Sequence, residues 1–308
     1  MPVTEFRVDR LGHQLYAIDV WMQGEPERLA CYLFDTPERV LVECGPSLSV
    51  DHLLAALDEL GIDDLAALVM THIHLDHAGA ASRLAQRFPG ARVGVHPDGA
   101  PHLIDPSRLW ASASRAYGGE EATRALWGTM EPVAEHRLVI LEETRPLPLG
   151  NGRALQVLYT PGHARHHVVF FDAESGGMLV GDSVGVAYPH GHIVQPVTPP
   201  PDFDPRLVVE QLHRMAALEP AFLGFAHFGP DYRVQEALAE AEERLWSWVR
   251  FVESLPSHDP QAATTELREW VLEGYRREGY ADDVLAAYDA ATYWPMQVMG
   301  IRRWLERR

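Results

Sequence analysis

The sequence predicts an α/β protein, and three observations predict it. Apolar runs of strand length recur through the first 232 residues, among them Ala30–Phe34, Leu65–Met70 and Met178–Val180. Helical stripes lie between such runs, as in Leu53, Leu54, Leu57 and Leu60. Residues of metal-binding type follow four of the apolar runs, where a strand hands over to a loop.

Strands are expected first over 15–21, 30–34 and 40–44, separated by turn residues that include Gly24, Pro26 and Pro37. A helix follows, capped by Ser49 or Asp51 and stopped at Gly61. The strand over 65–70 leads into Thr71-His-Ile-His-Leu-Asp-His-Ala-Gly79, and a helix over 78–88 ends at Pro89-Gly90. Residues 91–95 read as another short strand. Residues 97–137 are rich in Trp, Ala, Arg and Ser and read as two or three helical pieces around Pro101, Pro106 and Gly118-Gly119. A two-layer sandwich does not need this helical insertion. Strands resume over 138–141, 155–158, 167–171 and 178–180. Gln195–Pro205 is proline-rich, and three consecutive prolines favour stiff, extended backbone. Asp204 then caps a helix with Pro205 at its first position and Leu207, Val208, Leu212 and Met215 as its stripe. Residues 233–308 read as a C-terminal helical extension of three helices, over 234–255, 260–278 and 281–306. Three roles are open to it: packing on the body, enclosing a substrate, or making an oligomer contact.

Residues 72–77 place His72, His74, Asp76 and His77 within six positions. Neither a buried strand nor a solvated face asks for three histidines so close together. Transition metals do take imidazole nitrogen and carboxylate oxygen converging on one point. His163 in Tyr159-Thr-Pro-Gly-His163, Asp182 in Met178-Leu-Val-Gly-Asp182 and His227 in Phe222-Leu-Gly-Phe-Ala-His227 repeat the same grammar. A core satisfies one buried histidine by hydrogen bonding, but not five at strand ends without a shared partner. Two metals about 3.5–4 Å apart would use such a set.

With these elements in this order, the chain resembles the metallo-β-lactamase fold superfamily of dinuclear metallohydrolases. The resemblance covers residues 14–232 and rests on the HxHxDH motif at 72–77, Thr-Pro-Gly-His at 160–163, Gly-Asp at 181–182, and His227. It implies an αββα four-layer sandwich over 1–232, with two halves similar in structure. It implies one metal held by His72, His74 and His163, a second held by Asp76, His77 and His227, and Asp182 bridging the two. The implied cofactors are two divalent metal ions, zinc first and iron or manganese next, since His and Asp ligands suit all three. Many relatives carry an Asp in a strand–Asp–Thr–Gly stretch before the first helix. Here that stretch reads Leu41-Val-Glu43-Cys44-Gly45-Pro46, and Glu43 is the candidate acceptor for a ligand histidine.

The 308 residues, 46% of them hydrophobic, leave room for one large domain with an appendage. A formal net charge of −18 with no Lys/Arg cluster argues against nucleic acid as a partner and suits a small-molecule substrate. Cys31 and Cys44 each sit in an apolar run and are expected as buried free thiols. The N-terminus lacks the basic-then-apolar plan of a signal peptide, and no apolar stretch is long enough to span a bilayer. A cytoplasmic protein is expected, with a homo-oligomer left open.

The resemblance implies hydrolysis by hydroxide held between two cations, with Asp182 as the bridge and either a metal-held water or Asp76 as the proton donor to the leaving group. A small, apolar ester, lactone or thioester is the expected substrate, because the insertion is aromatic and the chain poor in basic charge. Trp110, Tyr117 and Trp127 are candidates to line a cover over the site, though anchoring the insertion accounts for them equally. Tyr188 and His190 are further substrate candidates. Strand alternation allows only one of His166 and His167 to face the site. His96 and His102 stay open, and His13, His52, His136, His213 and His258 are expected at surface or helix positions. The alternatives are phosphodiester cleavage, a mononuclear iron persulfide dioxygenase-like oxidoreductase, and a metal-stabilised scaffold without turnover. Flavodiiron proteins usually carry a carboxylate where His74 stands and fit poorly.

Overall fold

The computed structural model describes residues 7–189, 191–256 and 259–308. Two sheets face each other. The first holds seven strands in chain order: β1 (Val8–Gly12), β2 (Leu15–Asp19), β3 (Ala30–Phe34), β4 (Val40–Val42), β5 (Ala67–Val69), β6 (Arg92–Val95) and β7 (Leu138–Ile140). Strands β1 to β4 pair antiparallel, and β4 to β7 pair parallel. The second sheet runs β13-β12-β11-β10-β9-β8, with β8 (Leu147–Gly150), β9 (Arg153–Tyr159), β10 (Val168–Asp172), β11 (Gly177–Gly181), β12 (Phe222–Phe225) and β13 (Gly229–Asp231). Its only parallel pair among the described residues is β11 with β12.

Period-two alternation explains the layering. In β3, Ala30, Tyr32 and Phe34 face the other sheet, while Cys31 and Leu33 face helices. In β10, Val168 and Phe170 face inward and Val169 outward. Both faces are apolar, which is why these strands read as unbroken apolar runs. On the outer face of the first sheet lie α1 (Val50–Glu59), α2 (Leu75–Ala78) and α3 (Ala81–Arg87). The insertion adds α4 (Ala100–Ile104), α5 (Ser107–Ala116) and α6 (Glu120–Trp127) on that side. The outer face of the second sheet is covered by α7 (Pro205–Ala216) and the first half of α8 (Val234–Ser254). The order helix, sheet, sheet, helix is an αββα sandwich.

The remaining helices are α9 (Pro260–Arg277), α10 (Asp282–Ala291) and α11 (Trp294–Leu305). They continue the central core: Tyr275, Tyr288 and Ile301 belong to the same buried cluster as Tyr32 and Phe170. Residues 233–308 are therefore packed into the sandwich rather than detached from it. Cys31 and Cys44 are buried free thiols, as expected. No helix among the described residues is long and apolar enough to cross a membrane.

Three local expectations need correction. The helix expected over 78–88 starts only at Ala81, and Ala78 instead ends the short α2, because the Ala80 amide bonds the Gly45 carbonyl at 3.0 Å and leaves the helical ladder. The last of the three C-terminal helices is two. Its ladder stops at Thr292, whose hydroxyl donates to the Tyr288 carbonyl at 2.6 Å, and Pro295, with no amide hydrogen, starts a new helix. Leu207, placed on the buried stripe of α7, is exposed, and Gln211 is buried instead.

Candidate metal centre

Sheet direction assembles the centre. Strand β10 is antiparallel to both β9 and β11, and β12 is parallel to β11, so β9, β11 and β12 point the same way. Their C-terminal ends leave the second sheet at one edge and lead to His163, Asp182 and His227. Strand β5 brings residues 72–77 to the same rim from the first sheet. A close backbone approach locks the two together. At Gly181, with φ of +50°, a Cβ would lie 2.5 Å from Thr71 Oγ1 and 2.8 Å from His167 Nε2.

All seven expected ligand residues converge. His74 Nδ1 lies 2.9 Å from His72 Nε2 and 3.0 Å from His163 Nε2. His227 Nε2 lies 3.4 Å from Asp76 Oδ2 and 3.3 Å from His77 Nε2. Asp182 stands between the two groups. Its Oδ1 is 3.3 Å from His77 Nε2 and 3.7 Å from His227 Nε2, while its Oδ2 is 3.6 Å from His163 Nε2. The groups His72/His74/His163, His72/His77/Asp182 and Asp76/His77/His227 each could hold a metal ion. The donor set fits. Imidazole lone pairs face one another, and Asp182 Oδ1 is buried without a hydrogen-bond partner. Bonds of about 2.0–2.1 Å to a shared ion bring nitrogens to such separations.

Second contacts decide which ring nitrogen is free. His163 Nδ1–H donates to the Val197 carbonyl at 3.3 Å, and His227 Nδ1–H to the Arg28 carbonyl at 2.7 Å. His72 Nδ1 lies 3.0 Å from the Thr71 hydroxyl, which itself donates to the buried Glu43 carboxylate. In all three, Nε2 is left facing the centre. Glu43 Oε1 is also 3.3 Å from His77 Nδ1, without a well-aligned hydrogen bond.

The charges divide the centre in two. Burial, then the neighbouring imidazoles, hold His72 well below the usual histidine range, and hold His74 at about 4. Burial also lowers His163. Burial opposes protonation of His77 and His227 as well, but Asp182 and Asp76 outweigh it and raise both. In return, His77 and His227 overcome burial and keep Asp76 at about 2 and Asp182 well below the carboxylate range.

Both histidines after His163 are engaged, which corrects the expectation of one. They lie before β10 begins at Val168, so strand alternation does not govern them. His167 Nε2 accepts the Asp182 amide at 3.2 Å and its Nδ1–H donates to Thr160 Oγ1 at 2.8 Å. His166 packs edge-on against His74 with ring centres 5.8 Å apart and lines the adjoining cavity. His96 packs on Tyr159 and accepts the Asp98 amide, and His102 lines the cavity. His52 is on a helix as expected, but it is buried and stacked on Trp21. His13, His136 and His213 are exposed, and His258 lies outside the described residues.

A cavity of about 670 Å³ opens on His74, Asp76, His163, Asp182 and His227. Tyr117, Trp127 and Tyr188 line it. Trp110 does not: Leu109, Ala113 and Ala116 form the cavity face of α5, and Trp110, one position round the helix, lies under the Arg124 guanidinium. His190 lies outside the described residues. Burial, followed by the charges of Asp76 and Asp182 respectively, pushes the Tyr117 and Tyr188 phenols up, so both remain protonated. The C-terminal extension supplies a wall that the sequence did not single out, including Thr292, Tyr293, Met296 and Gln297.

An αββα sandwich with a His/Asp cluster at its rim defines a metal-dependent enzyme. Residues 27–227 match the metallo-β-lactamase superfamily, and the chain belongs to it. It is similar to the metallo-β-lactamase fold-containing protein ST1585 of Sulfurisphaera tokodaii, 32% identical over 197 residues, which are 62% of this chain and 72% of that one. The crystal structure of ST1585 from Sulfolobus tokodaii superposes with a TM-score of 0.68 at 24% identity, covering 96% of this chain and 99% of that chain. A hydroxyacylglutathione hydrolase of a Synechococcus strain is 27% identical over half of this chain, and the match spans only 48% of that enzyme. The structure of TTHA1623 in a di-iron-bound form aligns at 27% identity and a TM-score of 0.52, over 69% of this chain and 91% of that one. The superfamily consists mostly of metal-dependent hydrolases, and this chain is an enzyme of that kind whose His/Asp groups suit divalent metals.

Proposed function

We propose that the chain is a two-metal hydrolase of a small ester, lactone or thioester bearing an apolar group. One observation carries the reading: at the floor of one cavity, the two oxygens of Asp182 face different groups of ligand atoms. His72, His74 and His163 would hold one divalent ion and Asp76, His77 and His227 the other, with Asp182 shared. Such ions supply Lewis acidity and a water acidic enough to attack a carbonyl near neutral pH. The chain's own groups do the rest. Asp76, which faces the cavity beside the ligand groups, would take up a proton and pass it to the leaving group. Tyr188, kept protonated, acts as a hydrogen-bond donor, and the Tyr117 ring joins the apolar wall. Leu109, Ala113, Trp127 and Met296 surround an apolar substituent and exclude water from it.

The likeness to hydroxyacylglutathione hydrolases, whose name denotes cleavage of an acyl–sulfur bond, supports including thioesters. Zinc is the proposed metal, and the di-iron form of TTHA1623 makes iron the second choice. The test pairs elemental analysis with a panel of lactones, thioesters, aryl esters and phosphodiesters run with zinc, manganese and iron. Close to two ions per chain and turnover of carboxylic substrates are expected. Turnover of phosphodiesters alone would overturn the substrate class. A single iron with oxygen consumption on a persulfide would overturn hydrolysis itself.

A further inference from the structure

We infer that Gln297, on the last helix of the C-terminal extension, is a positioning residue for the metal ligand His163. The inference rests on the two-metal reading above, in which His163 binds through Nε2. That binding mode needs Nδ1–H anchored elsewhere, and its acceptor is the Val197 carbonyl at 3.3 Å. Val197 lies in the proline-rich loop, which has no strand or helix of its own to hold it. The C-terminal helices hold it instead. Gln297 Oε1 accepts the Thr198 amide at 2.7 Å, so the peptide unit whose carbonyl receives His163 is clamped from its other end. The Thr198 hydroxyl lies 3.0 Å from both Gln297 Oε1 and the Gln297 carbonyl. Thr198 is fully buried and Gln297 nearly so, and water therefore offers no ready substitute for these bonds.

Neighbouring contacts tighten the same clamp. Gln195 Nε2 donates to Thr292 Oγ1 at 2.7 Å, and the Tyr288 hydroxyl donates to the Ile193 carbonyl at 2.7 Å. One turn along α11 from Gln297 is Gly300, where a Cβ would lie 1.8 Å from the Thr198 carbonyl oxygen. The helix thus touches the loop backbone directly, and the route from α11 to the metal is Gln297, the Val197–Thr198 peptide, then His163.

The test measures metal affinity in the full chain by chelator competition, together with the visible spectrum of the cobalt-substituted protein. Gln297→Leu should keep the circular dichroism of the wild type but weaken one of the two ions about 10- to 100-fold, the scale for losing a partner that orients a ligand. The cobalt bands of that ion should shift. Gln297→Glu, which keeps an acceptor oxygen, should restore affinity to within about threefold. Gly300→Ala crowds the adjoining Thr198–Pro199 peptide, displaces Thr198 and should weaken the same ion, which provides a second variant if Gln297→Leu does not fold. His163→Ala separates the two claims. If His163→Ala loses one ion while Gln297→Leu and Gly300→Ala bind both with wild-type affinity and spectrum, the positioning role is wrong and the two-metal reading stands. If His163→Ala still binds two ions, the ligand assignment falls and the positioning role falls with it.

Discussion

The two sides of the cavity are built on different principles. On one side stand strand ends. His72, His77 and His163 are buried, and Asp182 is almost so, because the shared direction of β9, β11 and β12 and the pairing of β5 leave these residues nowhere else to go. On the other side stand helices that the sandwich does not require. The insertion contributes Leu109, Ala113, Tyr117 and Trp127, and the C-terminal extension contributes Tyr293 and Met296. These two regions, far apart in sequence, meet at the cavity: the Tyr117 and Tyr293 rings are 5.0 Å apart, and the Tyr293 hydroxyl donates to the Ala116 carbonyl at 3.2 Å. Under the proposed function, the contrast assigns reactivity to the sheets and selectivity to the helices. Loss of helix side chains that only line the cavity should leave the metal ligands working; Gln297, which braces the loop behind His163, is the exception.

The largest effect should come from the strand-end side. Asp182→Ala should lower kcat/KM by about 10³-fold or more, the scale for losing a principal electrostatic element, and should reduce metal content. Its far-ultraviolet circular dichroism should stay unchanged. Undiminished turnover would show that the two ligand groups do not share this carboxylate.

The helix side should behave otherwise. Replacing Tyr117 and Tyr293 together by alanine should lower kcat/KM for a bulky aryl ester about 10- to 100-fold, as expected for losing apolar contacts to a substrate. The same variant should change an acetate ester by less than about threefold and keep its metal content. An equal loss on both substrates would break the division of labour. Trp110→Ala should alter turnover by no more than about twofold, since Trp110 faces away from the cavity; steady-state kinetics on the same two esters decides it.

The smallest effect on turnover should come from a buried ion pair that belongs to neither side. Arg153 and Asp172 join β9 to β10, with Arg153 Nε 3.0 Å from Asp172 Oδ1. Asp172→Ala should leave kcat/KM at pH 7 unchanged while costing about 3 kcal/mol of stability in urea unfolding. Burial works to raise Asp172, but Arg153 and Ser175 outweigh it and lower it. A lowered folded-state pKa means stability that is complete above the unfolded value, about pH 4, and lost as pH falls through the lower folded value. Wild type and variant should therefore differ in urea at pH 7, and the difference should shrink as pH falls below about 4.

Much of this contrast was legible in the sequence, but unevenly. Central strands such as β3 and β10 are apolar on both faces and read plainly as apolar runs. Strands β1, β8 and β13 did not, because Val8–Gly12, Leu147–Gly150 and Gly229–Asp231 are short, contain polar residues or proline, and become strands only through their neighbours. The ligand set was legible because four of its members fall within six positions and the rest follow apolar runs. The helix side was half legible. Aromatic content flagged the insertion, but Trp110 and Tyr117 share one helical phase, and it is the position of Tyr117 at the end of α5, packed against Trp127 and Tyr293, that brings it to the cavity while Trp110 lies under Arg124. Tyr293 and Gln297 carry no local mark. Gln297 meets Thr198 across 99 residues, and only the packed chain brings them together.

The insertion leaves the sheet at the end of β6 and returns at the start of β7, two parallel strands in fixed register from Val93 opposite Leu138 to Val95 opposite Ile140. Neither strand carries a metal ligand. Residues 97–137 therefore form a cassette whose ends stay put whatever lies between them. Under the proposed function, trading that cassette for another would change the wall of the cavity while leaving the metal ligands where they are. On that reading, a new substrate preference would follow from exchanging one continuous segment rather than from remodelling the ligand-bearing strand ends.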